Sequence, residues 1–232
     1  MRRFRAIAAA LGLLVLAMAA PAFAHNISGK DAAFVASSAG PHIGPFLYLG
    51  AKHMVTGYDH LLFILGVVFF LYRLKHVALY VTLFSLGHSI TLLAGVLTGF
   101  HINPYLIDAI IGLSVAYKAF DNLDGFRTLF GVQPDARAAV LIFGLFHGMG
   151  LATKLQDLHL SHRGLVANLV SFNVGVEAGQ LIALSVMLGL MLLWRRARDF
   201  PRQAVAANVL ILTAGFLLMQ YQLAGFFTHR GA

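Results

Sequence analysis

Beyond residue 44 the chain alternates between long apolar runs and short polar breaks. Six runs lie at roughly 45–72, 76–99, 103–120, 137–155, 164–194 and 203–225. A helix that crosses a bilayer needs about 20 apolar residues, so each run is long enough to span, with 103–120 and 137–155 the leanest. The connections are short except 121–136, where Asp121, Asp124, Gly125, Arg127 and Pro134 mark a solvated loop. The pattern predicts an all-α membrane protein whose 45–232 region is a bundle of six transmembrane helices. Leu83–His88 echoes Ile142–His147 at three positions of six, too slight a likeness to be read as an internal repeat.

The first 24 residues read differently. Arg2, Arg3 and Arg5 precede an apolar stretch from Ala6 to Ala20, then the helix breaker Pro21 and the triplet Ala22-Phe23-Ala24. That is the layout of a secretory signal peptide with an A-x-A cleavage site. Cleavage would make His25 the mature N-terminus, whose amine and imidazole form a chelate for a divalent ion. Residues 25–44, with their glycines and serines, read as an external lead-in. With that end outside, nine basic residues fall in inner loops (Arg73, Lys75 and Arg195 among them) and five in outer segments, including Lys52 and Lys154. The excess on the inner side obeys the positive-inside rule. Both signals predict six helices with both ends outside, in a bacterial inner membrane with the N-terminus periplasmic.

Composition sharpens this picture. Of 232 residues, 59% are apolar and 11% charged, with a mean hydropathy of +0.79. Soluble domains carry about 25% charged residues, so a soluble enzyme and a sequence-specific nucleic-acid binder are both excluded. The net charge of +8 is accounted for by the leader and the inner loops, with no nucleic-acid partner implied. The absence of cysteine excludes thiolate chemistry, whereas 11 histidines outnumber nine acidic residues.

Several of those polar groups lie inside the apolar runs, where an ionisable side chain costs about 2.5–3.5 kcal/mol and so requires a reason. In the first run, His53 and His60 are seven residues apart, which on one continuous helix places them on one face with Gly57 between. Asp59 adjoins His60, either lining the same cavity or accepting from an imidazole N–H. Ser85, His88 and Thr91 form a polar stripe in the second run. His147 stands among Gly144, Gly148 and Gly150 in the fourth. In the fifth, Asn173, Glu177 and Gln180 share a stripe, and the carboxylate needs a cation, a proton or a metal ion as partner. Asp108, near the outer end of the third run, could serve with His25 and His42 at an outer mouth. Imidazole, carboxylate and amide donors without thiolate suit nickel, cobalt or zinc. Magnesium or calcium would need an oxygen cage.

These residues carry a resemblance. His53-x-x-x-Gly57-x-Asp59-His60-Leu61-Leu62-Phe63, Leu86-Gly87-His88-Ser89, Gly144-Leu145-x-His147-Gly148 and Phe172-Asn173-x-Gly175-x-Glu177-x-Gly179-Gln180 are similar to segments of the HupE/UreJ family. These are small bacterial membrane proteins implicated in nickel supply to hydrogenase and urease, and the likeness covers most of the mature chain. The first two segments also resemble the wider nickel/cobalt permeases, which carry His-x4-Asp-His where this chain has His-x5-Asp-His. One extra residue turns His53 by about 100° relative to that pattern.

The resemblance implies a permease for nickel or a similar divalent ion, with the metal as cargo and no tightly bound cofactor. The expected ligands are His53, Asp59, His60, His88, His147, Asn173 and Glu177, with Asp108 and His25 nearer the outside. The expected partners are the ion, the bilayer and a metalloenzyme supply pathway. Self-association is open, because Gly144-x-x-x-Gly148 and Gly175-x-x-x-Gly179 could pack helices within or between chains. An intramembrane zinc hydrolase is the alternative, with three histidines on zinc and Asp59 or Glu177 as base. It lacks a His-Glu-x-x-His motif. A metal sensor or assembly partner is a third reading, disfavoured because no large loop domain offers it a surface.

Overall fold

A computed structural model of the chain describes residues 30–71, 74–158 and 161–228. The leader and His25 lie outside these residues. Among those described, every regular element is a helix: α1 (Lys30–Ser37), α2 (Ile43–Thr56), α3 (Tyr58–Val68), α4 (Leu74–Thr98), α5 (Pro104–Asn122), α6 (Gly125–Phe130), α7 (Ala136–Gln156), α8 (Leu165–Trp194) and α9 (Phe200–Thr228). Four of them, α4, α7, α8 and α9, are long and apolar enough to cross a membrane. Their outward faces carry Leu190, Leu193, Leu217 and Phe227 exposed, the surface a bundle must present to lipid.

Local chemistry starts and stops these helices. Asn103 accepts from the Tyr105 N–H ahead of α5, with Pro104 at its first position. Asp135 does the same for Arg137 at the start of α7. Gly164, at φ +74°, precedes α8, where a side chain would collide with the Gly40–Pro41 backbone. The lead-in is more ordered than a run of glycine and serine suggests. Its α1 buries Val35, and Lys52 of α2 bonds Asp31 of α1 at 2.7 Å.

The first apolar run departs from the expected single helix. It breaks at Gly57, whose ψ of 104° is extended, giving α2 of 14 residues and α3 of 11. The Gly57 N–H still closes α2 on the His53 carbonyl. Arg195, just past α8, secures the far end of α3 by donating to the Val68, Phe69 and Leu71 carbonyls at 2.6–2.7 Å.

The bundle is built from close pairs that are not neighbours in sequence: α2 with α8, α4 with α7, and α5 with α9. Glycine lets each pair approach backbone to backbone. A methyl group at Gly175 would lie 2.0 Å from the Leu47 carbonyl oxygen, and one at Gly144 would lie 2.4 Å from that of Phe84. Gly215 packs on Ala116 in the same way. Residue numbers rise together in the first two pairs (Leu47 with Gly175, Ala51 with Gly179; Phe84 with Gly144, His88 with Gly148), so those helices run parallel. In α5 and α9 they run opposite, Gly112 meeting Met219 and Ala116 meeting Gly215. Both glycine motifs from the sequence therefore pack helices within one chain.

Candidate metal centre

The break at Gly57 gathers the polar residues of the first run. His53 lies in the last turn of α2, and Asp59 and His60 lie in the first turn of α3, on either side of the extended residue. The His53 and His60 ring centroids stand 5.0 Å apart. With the His-x5-Asp-His spacing the two rings still meet. Gly57 is required here for space: a methyl group would lie 2.7 Å from His60 Nδ1 and 3.3 Å from Asp59 Oδ1.

α4 contributes His88, and α7, interlocked with it, contributes His147. The Gly148 contact with the His88 carbonyl sets the two helices close, and Thr91 Oγ donates to the Leu145 carbonyl at 2.6 Å across the same seam. The His60 and His147 rings are 4.8 Å apart. One potential ligand atom each from His53, His60 and His88 falls within 4.8 Å of the others. His60, His88 and His147 have no solvent exposure, and His53 and Asp59 have 7% and 5%.

The hydrogen bonds orient these rings. His60 Nδ1 meets Asp59 Oδ1 at 3.0 Å, His88 Nδ1 meets Asn173 Oδ1 at 3.3 Å, and His147 Nδ1 meets the Phe143 carbonyl at 2.8 Å. A carbonyl, an amide oxygen and an ionised carboxylate can only accept. Each Nδ1 therefore donates, which leaves Nε2 as the lone-pair nitrogen of the neutral ring. Metal-ligating histidines are held in this way, with the second nitrogen tied to an oxygen that fixes ring and tautomer. The Nε2 of His88 is buried without a hydrogen-bond partner. Imidazole nitrogens of this kind are donors suited to borderline divalent ions such as nickel, cobalt or zinc.

The remaining expected residues fall in different places. Asn173 is at the cluster, with its oxygen on His88. Gln180 forms a second rung between the same helices, accepting from Ser85 Oγ at 2.9 Å. Asp108 is bonded through both oxygens to Lys154, at 3.2 and 2.9 Å, and stays within electrostatic reach of Asp59 and His60. Glu177 is exposed on the outer surface of α8, with no hydrogen bond or ion pair to a described residue. The backbone of His42 is tied to the Asn168 side chain, and its ring lies against Phe34.

Aromatic rings wall the cluster on one side, a feature that single-residue reading passed over. Phe63 and Phe84 lie 5.7 and 5.0 Å from the His147 ring, and Phe143 lies 5.7 Å from Phe63. Beyond them a cavity of about 10 Å³, lined by Val67, Val81 and Leu184 among others, has room for one water at most. The Phe143 carbonyl was legible in principle, since a helical histidine reaches the backbone oxygen four residues back. The aromatic wall was not, because phenylalanine is unremarkable in an apolar run.

The HupE / UreJ protein family model matches residues 29–230. No curated protein and no solved structure matches the chain.

Proposed function

The chain belongs to the HupE/UreJ family, and from that premise we propose that it is a multi-pass membrane permease for a divalent transition metal, nickel or cobalt before zinc. One observation carries the reading: imidazoles from α2, α3, α4 and α7 converge in the bundle, and three of them have Nδ1 tied to an oxygen so that Nε2 is the donor. Imidazole nitrogen donors without thiolate suit nickel, cobalt or zinc and do not suit magnesium or calcium.

In this reading His53, His60, His88 and His147 bind the ion. Asp59 offsets part of its charge and orients His60, and Asn173 orients His88. The site lies at a broken helix, where the start of α3 favours the Asp59 carboxylate. The ion arrives from the α8 start of the bundle, past the Asp108–Lys154 pair. It leaves toward the Arg195 end when the Phe63, Phe84 and Phe143 rings part. Six crossings serve this path, with α2 and α3 together making the first. The parallel and antiparallel senses of the close pairs are those that alternating crossings require. Cleavage after Ala24, a periplasmic start and an inner-membrane location complete the proposal.

Family membership speaks for metal transport and against the hydrolase alternative. Flux of nickel, cobalt, zinc and manganese into proteoliposomes tests the reading. The expected result is saturable flux that favours nickel or cobalt and is lost in His60→Ala and His88→Ala. Undiminished flux in both variants, with the proteins folded, would sink it.

A further inference from the structure

Glu177 stands where a carboxylate is least expected, exposed near the middle of the 30-residue apolar helix α8, between exposed Val174 and Leu181. In hydrocarbon it must find a cation or a proton. We propose that this face of α8 is covered by a second copy of the chain, with Glu177 paired to the partner's Lys52.

The argument is geometric. Counting about 100° per residue from Asn173, which faces α4, Glu177 stands at about 40°, Leu181 at about 80° and Val174 at about 100°. Gly175 and Gly179, which hold α2, stand at about 200° and 240° on the same count. Glu177 and α2 therefore occupy opposite flanks of the exposed face, and α8 itself separates them within one chain. A two-fold axis along the membrane normal through this face sets each flank against the other flank of the partner, because in such an interface residue i meets j while j meets i.

Such an axis also preserves depth. Ala51 packs on Gly179 in the parallel α2–α8 pair, so Lys52, counted from the sequence with the outer segments, is instead level with Gln180, about 4.5 Å along the axis from Glu177 and within reach of two long side chains. Lys52 keeps donors for this contact. Its ammonium has three hydrogens, one engaged by Asp31, and its side chain is 42% exposed. The pair would form twice per dimer. The inference rests on α8 crossing the bilayer and not on which ion the histidines hold.

The absence of natural cysteine makes the test direct. Val174→Cys, in native membranes under mild oxidation, is expected to cross-link two copies, whereas Leu217→Cys on exposed α9 is not. Adding Glu177→Gln should lower the cross-linked yield several-fold while equilibrium nickel binding to the purified protein is unchanged. The exchange Lys52→Glu with Glu177→Lys should restore it above either single variant. Loss of nickel binding would instead assign Glu177 to the metal centre, so the two readings fail separately. Absence of a Val174 cross-link, or a cross-link indifferent to Glu177→Gln, overturns the interface.

Discussion

Gly57 shows how much depends on one missing side chain. The residue before it closes α2 and the residue after it opens α3, and the space above its Cα is filled by the His60–Asp59 hydrogen bond. Gly57→Ala is expected to fold, since the backbone there is extended and open to any residue, but to push His60 off Asp59. Disturbing a histidine's oxygen partner typically weakens metal binding about 10–100-fold, and Asp59→Asn should fall in the same range. Equilibrium nickel binding to purified protein checks both, and unchanged affinity in Gly57→Ala would refute the orienting role assigned to Asp59. At this scale the sequence singled out which residues need an explanation. It could not say that Asn173 orients His88, because that oxygen is held by a different helix.

At the scale of elements, glycine decides which helices touch. Gly144 and Gly148 lie against the backbone of α4, so Gly144→Val would drive α7 and α4 apart. Overpacking of this kind costs about 1–3 kcal/mol, and the change should also disturb His88 and His147, which these helices carry. Gly189 is a contrast within α8, since a methyl group there meets nothing within 4 Å. Gly189→Ala should stabilise by about 0.5–1 kcal/mol through helix propensity alone. Thermal unfolding in detergent compares the two, and equal shifts would mean that the α4–α7 contact is not as close as described. The spacing of these glycines was visible in the chain, but their partners were not, because α2 and α8 meet across more than 100 intervening residues. The break in the first span was also hidden, since a seven-residue spacing reads most simply as two turns of one helix.

For the whole molecule, the arrangement predicts a topology. Among the described residues, the α8 start is tied to the lead-in through Asn168 and Gly40, and the α8 end to α3 through Arg195. These contacts put residue 40 at one end of the bundle and the 69–71 segment at the other. A periplasmic reporter such as alkaline phosphatase should therefore be active when fused after residue 228 and inactive when fused within 121–136. The reverse pattern, or the same activity at both sites, would overturn the proposed orientation and with it the direction assigned to transport.

The amino-acid sequence by itself determined that the chain is built of apolar helical runs separated by short polar breaks. It also identified the histidines, Asp59 and Asn173 as the polar groups to explain, because solvation makes a charge in an apolar run conspicuous without any knowledge of its neighbours. Only the tertiary structure decided what surrounds them. It brought four imidazoles together through a broken helix and a glycine-locked pair, and it tied Asp108 to Lys154. It also turned Glu177 outward, although the sequence put that residue on one stripe with Asn173. The physical reason is that helical periodicity fixes the angle between residues on one helix to within tens of degrees, whereas the face that points inward is set by which helices pack against it.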